Sequence, residues 1–275
     1  MNTFASLSVR ISRLTRATLL ASAFAAGACI AYPALAQDTK AADTTAYTLA
    51  KRVFKTGDVN RYKLGMKVHL GDMESIVNLL FRETIQDAKP GGEFTALNQF
   101  ETASANIGGS EQDLMAFLPT VTVMRDKAGK LTNKTEGGID AASAQISGMM
   151  QSLSTMQEAY LPKTPVKVGD KWKVSVSTTG PAGGAQKSAG EATLVGTEII
   201  GGVKSYKLKV IAEVDNKEQD VKAHTESTMN LDPDSGKLLK MLSKVDGTAG
   251  GMKVSQELEL NLVPTEKAAA APVAK

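Results

Sequence analysis

Alternation with a period of two restricts this chain more than any other feature. Tyr62, Leu64, Met66, Val68 and Leu70 take every second position, with Lys63, Lys67 and His69 between them, the pattern of a strand that buries one face and wets the other. The same reading applies to Phe94, Ala96, Asn98 and Phe100, to Trp172, Val174 and Val176, to Tyr206, Leu208, Val210, Ala212 and Val214, and to Met252, Val254, Leu258, Leu260 and Leu262. One-sided burial marks antiparallel sheets, because strands of a parallel sheet are covered on both faces and give continuous apolar runs. Lys89-Pro90-Gly91-Gly92, Gly201-Gly202 and Asp232-Pro233-Asp234-Ser235-Gly236 carry the glycine, proline and aspartate that chain reversals need. The expected fold is mainly β, with roughly a dozen antiparallel strands in a meander.

Two segments break the rhythm. Ser110, followed by Glu111, Gln112 and the apolar run Leu114 to Phe117, predicts a capped short helix. Ile146, Met149, Met150, Leu153, Met156 and Tyr160 recur at steps of three and four, which predicts one long amphipathic helix over 139–161, ended by Pro162. That helix joins two halves, 47–136 and 165–263, of a single β domain spanning 47–263. The halves share weak signatures: Lys55-Thr56-Gly57-Asp58 and Lys167-Val168-Gly169-Asp170 precede a strand, and a turn runs from Asp126 to Leu131 in one and from Asp232 to Leu238 in the other. A polar leader, 37–46, and a simple tail, 264–275, are expected to be disordered.

The amino end reads as an export signal. Arg10, Arg13 and Arg16 form a positive region, Ala17 to Tyr32 is almost wholly apolar, and Ala34-Leu35-Ala36 is the small-x-small pattern of a cleavage site, so cleavage is expected between Ala36 and Gln37. As a membrane span the same stretch is too short, at about 16 residues, and is broken by Pro33. The single cysteine, Cys29, could be the acylated residue of a lipoprotein, but Ala26 stands where a leucine is usual; a small residue within the apolar region is the better reading. Cleavage leaves a cysteine-free chain and lowers the 32 basic residues to 29, equal to the 29 acidic ones. Nothing in that balance favours nucleic acid or an anionic membrane. The mature protein is expected to be soluble, not membrane-spanning, and periplasmic or extracellular.

Chemistry-bearing motifs are missing. His69 and His224 fall on polar strand faces without a third ligand or an HExxH spacing. Lys187-Ser188 departs from a phosphate-binding loop because Gln186 replaces the glycine before lysine. Asp232, Asp234 and Gly236 suit a turn better than a calcium loop, whose twelfth position would here be Ser243. No GxSxG elbow or triad is visible. The chain is therefore expected not to be an enzyme, and no catalytic residue, metal ligand or cofactor is assigned.

The signal peptide, the long strands, the inserted helix and the phrase Leu161-Pro162-Lys163-Thr164-Pro165-Val166-Lys167-Val168-Gly169-Asp170-Lys171-Trp172 resemble a group of exported bacterial proteins of unknown function. Their strand arrangement is similar to the half-barrel of lipoprotein carriers and periplasmic lipid-binding proteins of the LolA and LppX type. The resemblance implies a strongly curved antiparallel sheet that cups an apolar cavity, with a long helix and a short one against it. It further implies a carrier or binding module for a hydrophobic ligand such as a lipid. Methionine suits such a role, since a flexible, polarizable side chain accommodates ligands of varied shape, although an apolar stripe is needed wherever a helix packs on a sheet. The expected lining is Ile146, Met149, Met150, Leu153 and Met156 from the helix, with Leu64, Met66, Tyr206 and Leu208 from facing strands. The alternative is an envelope structural or protein-interaction domain with a filled core, meeting a partner through strand edges or its outer face. An apolar cavity of several hundred Å³ would favour the carrier and a filled interior the alternative.

Overall fold

The computed structural model describes residues 45–137, 146, 148–150, 153, 157–179, 185–216, 221–249 and 251–264. The export segment, most of the leader and tail, and much of the expected 139–161 helix lie outside the described residues. Twelve strands follow in order: β1 (Val59–Leu70), β2 (Met73–Ala88), β3 (Phe94–Ile107), β4 (Ser110–Asp113), β5 (Thr120–Arg125), β6 (Leu131–Glu136), β7 (Lys171–Thr179), β8 (Ala185–Ile200), β9 (Val203–Asn216), β10 (Val221–Leu231), β11 (Leu238–Ala249) and β12 (Met252–Val263). They form one open antiparallel sheet in the order β6-β5-β3-β2-β1-β12-β11-β10-β9-β8-β7, with β4 pairing β3 beside β5.

The meander predicted from alternation is thus present, and the first strand pairs with the last: Leu64 stands opposite Leu260 and Met66 opposite Leu258. The sheet is also curled. Nine strand spacings separate β5 from β7, about 43 Å in a flat sheet at about 4.8 Å per strand. Yet Arg125 of β5 pairs with Glu158 at 2.5 Å, and Trp172 of β7 donates its indole N–H to the Tyr160 carbonyl at 2.9 Å. Residues two positions apart in one segment reach both ends of the sheet. Only a sheet bent round that segment allows this.

Bending has a local device. Gly190 in β8 and Gly247 in β11 lie inside strands, and a Cβ on either would strike the neighbouring strand's backbone, at the Ile211 carbonyl and the Lys222 carbonyl respectively. Glycine at these positions lets adjacent strands approach more closely than any side chain permits.

Two helix expectations change. Ser110 caps no helix: the Gly108-Gly109 pair, both at positive φ, turns the chain back so that Ser110–Asp113 pairs with β3 as β4. Strand pairing overrides the local helix signal, leaving one 3-10 turn at Met115–Phe117, with the Met115 N–H bonded to the Asp113 carboxylate at 2.8 Å. Of the long helix, Ile146, Gly148, Met149, Met150, Leu153 and 157–159 have helical backbone. A continuous five- to six-turn helix is not among the described elements.

The paired signatures noted in the two halves occupy matching places. Asp58 and Gly57 exchange backbone hydrogen bonds with Ile85 of β2, as Asp170 and Gly169 do with Leu194 of β8. Asp126 and Asp232 each accept from the glycine of their turn, Gly129 and Gly236, at 2.9 Å.

Candidate functional site

Register assembles the expected lining. Leu79, Leu64, Leu260, Met241, Met229, Leu208 and Leu194 form one cross-strand row over seven strands, because alternation sends each of them to the same face. Leu64, Leu194 and Leu208 are 0 % exposed and Met150 is 4 % exposed. Ile146, Met149, Leu153 and Tyr206 are half-buried against the same cluster. Met66 is half-buried in the next row and outside the cluster; Met156 lies outside the described residues. Seven of the nine expected residues therefore meet in one packed core.

The face is not uniformly apolar. Thr225, Ser227, Ser243 and Gln256 are buried on it, between the main cluster and a smaller one of Val214, Val221, Ala223, Val245 and Val254. Ser227 and Ser243 share a hydrogen bond at 2.8 Å.

Sequence reasoning missed a polar and aromatic clamp at the other end. The Phe54 and Phe94 rings stack with centroids 3.9 Å apart. The Arg52 guanidinium lies over Phe54, 4.6 Å from its ring centroid, and that of Arg125 over Phe94, 5.0 Å from its centroid. Each arginine is then held by a carboxylate, Arg52 by Glu83 and Arg125 by Glu158. Asn60 also donates to Glu83, at 3.0 Å. Burial works against the Arg52 charge, but Glu83, Tyr62 and Asp58 together outweigh it and the guanidinium is held charged. Burial likewise pushes the nearby Tyr62 phenol well up, and that of Tyr160 up to about 12. Apart from Arg52 and Phe54, two positions apart, these residues are joined by no spacing in the sequence, since the other contacts run between positions 23 or more apart. Gln157 completes the clamp by donating to the Gly236 carbonyl.

A groove of about 870 Å³ opens at the far end of β1, β12, β11, β10 and β9. Most of its side chains belong to the face opposite the core. His69, Ser255, Asp246, His224 and Glu213 form one of its rows, so both histidines do share a site. His69 lies 3.4 Å from Glu74, and His224 pairs with Glu213. No group of three or more His, Cys, Asp or Glu among the described residues could hold a metal ion. No described helix is long and apolar enough to cross a membrane, which says nothing of strands.

No protein-family model matches the chain, and no curated protein does. Solved structures do. A lipovitellin structure, described for its lipid–protein interactions, superposes with a TM-score of 0.50 at 12 % identity and covers 81 % of this chain. The chain spans 27 % of that lipovitellin chain, and the likeness is one of fold. The hypothetical lipoprotein YmcC from Escherichia coli (TM-score 0.29, 10 % identity, 76 % of this chain and 89 % of that one) is among the neighbours. So is a DUF1329 family protein from Desulfovibrio piger (0.23, 10 %, 76 % and 87 %).

Proposed function

We propose that the chain is an exported carrier or binding module for a hydrophobic ligand such as a lipid, without catalytic activity, and that the ligand meets the apolar face lined by Leu64, Met66, Tyr206, Leu208 and by Ile146, Met149, Met150 and Leu153. The observation that carries this reading is the leucine and methionine row running across seven strands of a curled, open sheet. Along this row an acyl chain would meet apolar side chains only, with the buried hydroxyls and amide of Thr225, Ser227, Ser243 and Gln256 lying beyond it. Among the described residues no second sheet closes the face. A segment supplying flexible side chains packs there, and methionine can repack around a guest.

A second reading has its own support. Leu64, Leu194 and Leu208 are fully buried and Met150 nearly so, as expected of a filled core in a domain that meets partners through its edges. Met150→Ala separates the two when unfolding free energy and uptake of a fluorescent fatty-acid probe are measured together. The carrier reading expects probe uptake by the wild type and altered probe affinity in the variant. A stability loss of about 2–5 kcal/mol combined with no uptake by the wild type would leave the filled interaction domain.

A further inference from the structure

The outer face of the sheet neutralises its charges across strands: Lys244 meets Glu257 at 2.6 Å, Lys209 meets Glu226 at 2.7 Å and Lys67 meets Glu74 at 2.8 Å. The groove departs from this habit. Register places Lys253, Thr248 and Lys222 in one row along it, and Ser255, Asp246 and His224 in the next. Among the described residues, no ion pair or hydrogen bond engages the side chain of Lys222, Lys253 or Asp246. Asp215 stands opposite Lys222 in the register, and Glu213 is taken up by His224.

Spacing follows from strand geometry. The lysines flank Thr248 at two strand spacings, about 10 Å, and the carboxylate row lies two residues further along the strands, about 7 Å away. One anionic group can therefore sit between the lysines, over the Thr248 hydroxyl, while a cation attached to it reaches Asp246. A simple anion would leave Asp246 opposing it, and a simple cation would face the lysines.

We infer that this groove binds a small zwitterion, a phosphate joined through a short linker to a primary amine, with Lys222 and Lys253 on the phosphate and Asp246 on the ammonium. Charge-assisted hydrogen bonds at both ends give the pair its selectivity. Partial desolvation within the groove raises the carboxyl of the largely exposed Asp246 above its ordinary value; Lys244 opposes this, Glu257 adds to it, and His224 opposes it. An ammonium there would offset the cost of desolvation. The chemistry is shared by a soluble phosphoamine and by a phosphoethanolamine lipid headgroup. The site is separate from the apolar face, so fatty-acid probe uptake neither supports nor weakens it.

The test is calorimetric titration of the mature chain with O-phosphoethanolamine, with inorganic phosphate and ethanolamine as its two halves. Phosphoethanolamine is expected to bind at least about tenfold more tightly than either half, a gain equivalent to one charge-assisted contact. Asp246→Asn should erase the advantage over phosphate while phosphate still binds. The paired substitution Lys222→Gln with Lys253→Gln should abolish both. All three side chains are exposed, and an unchanged circular dichroism spectrum establishes that the variants fold. Flotation with phosphatidylethanolamine vesicles, against phosphatidylcholine vesicles, identifies the source: selective co-flotation assigns the headgroup, and binding of the free compound alone assigns a soluble ligand. Equal affinity of the wild type for phosphate and phosphoethanolamine, no binding at millimolar concentrations, or an Asp246→Asn variant that keeps the preference would each overturn the inference.

Discussion

Replacing Phe94 tests how the clamp holds the curled sheet to the segment it surrounds. Phe94 is 4 % exposed, stacks on Phe54 at 3.9 Å and carries Arg125 at 5.0 Å on its other face. Phe94→Leu keeps most of the buried area and removes the π-system. The ring pair is worth about 0.5–1.5 kcal/mol beyond its area, and a partly desolvated guanidinium over a ring about 0.5–2 kcal/mol. The expected loss is therefore about 1–3.5 kcal/mol. Phe94→Ala adds a cavity and should cost about 3–5 kcal/mol. Urea unfolding followed by fluorescence of Trp172, the single tryptophan, measures both. Its indole bonds to the Tyr160 carbonyl, so its spectrum also reports on the covering segment. A double-mutant cycle of Phe94→Leu with Arg125→Met isolates the guanidinium–ring contribution. A Phe94→Leu variant within about 0.5 kcal/mol of wild type, or a cycle that adds within about 0.3 kcal/mol, would show that shape alone holds this region.

Three other outcomes follow from burial and backbone geometry. With the Tyr160 phenol raised to about 12 from 10.0, the unfolded chain ionises first, so stability is complete below pH 10 and falls between pH 10 and 12. The loss is about 1.4 kcal/mol per unit, and Tyr160→Phe should lessen the slope of urea midpoints over that range. Gly247→Val should cost more than about 2 kcal/mol through its clash with the β10 backbone, whereas Gly65→Ala, whose Cβ meets only the Asn78 side chain at 3.7 Å, should stay within about 1 kcal/mol of wild type; thermal melts compare them. Intact mass of the mature protein should place its amino terminus at Gln37, and a diacylated Cys29 terminus would overturn both that cleavage site and the soluble reading.

Alternation made most of the fold legible before any coordinates. Tyr62 to Leu70, Trp172 to Val174 and Tyr206 to Val214 have the predicted buried faces because the period-two pattern is local and leaves little freedom. The turn residues Asp232 to Gly236 also kept their expected role. The Ser110 helix signal was equally local but weaker than pairing with β3, an energy that depends on a strand already in place. Seven of the nine expected lining residues share a cluster for the same reason that the strands were readable: each lies on the apolar side of its own pattern. The remaining features depend on register and curl. Arg52 meets Glu83, Arg125 meets Glu158, and Lys222, Asp246 and Lys253 share a groove only because antiparallel pairing and bending set distant residues one strand spacing apart. Local sequence can state which side of a strand faces inward, since that depends on its own side chains. Which strand lies beside it is decided by long-range pairing, whose free energy appears only when the whole sheet closes round its core.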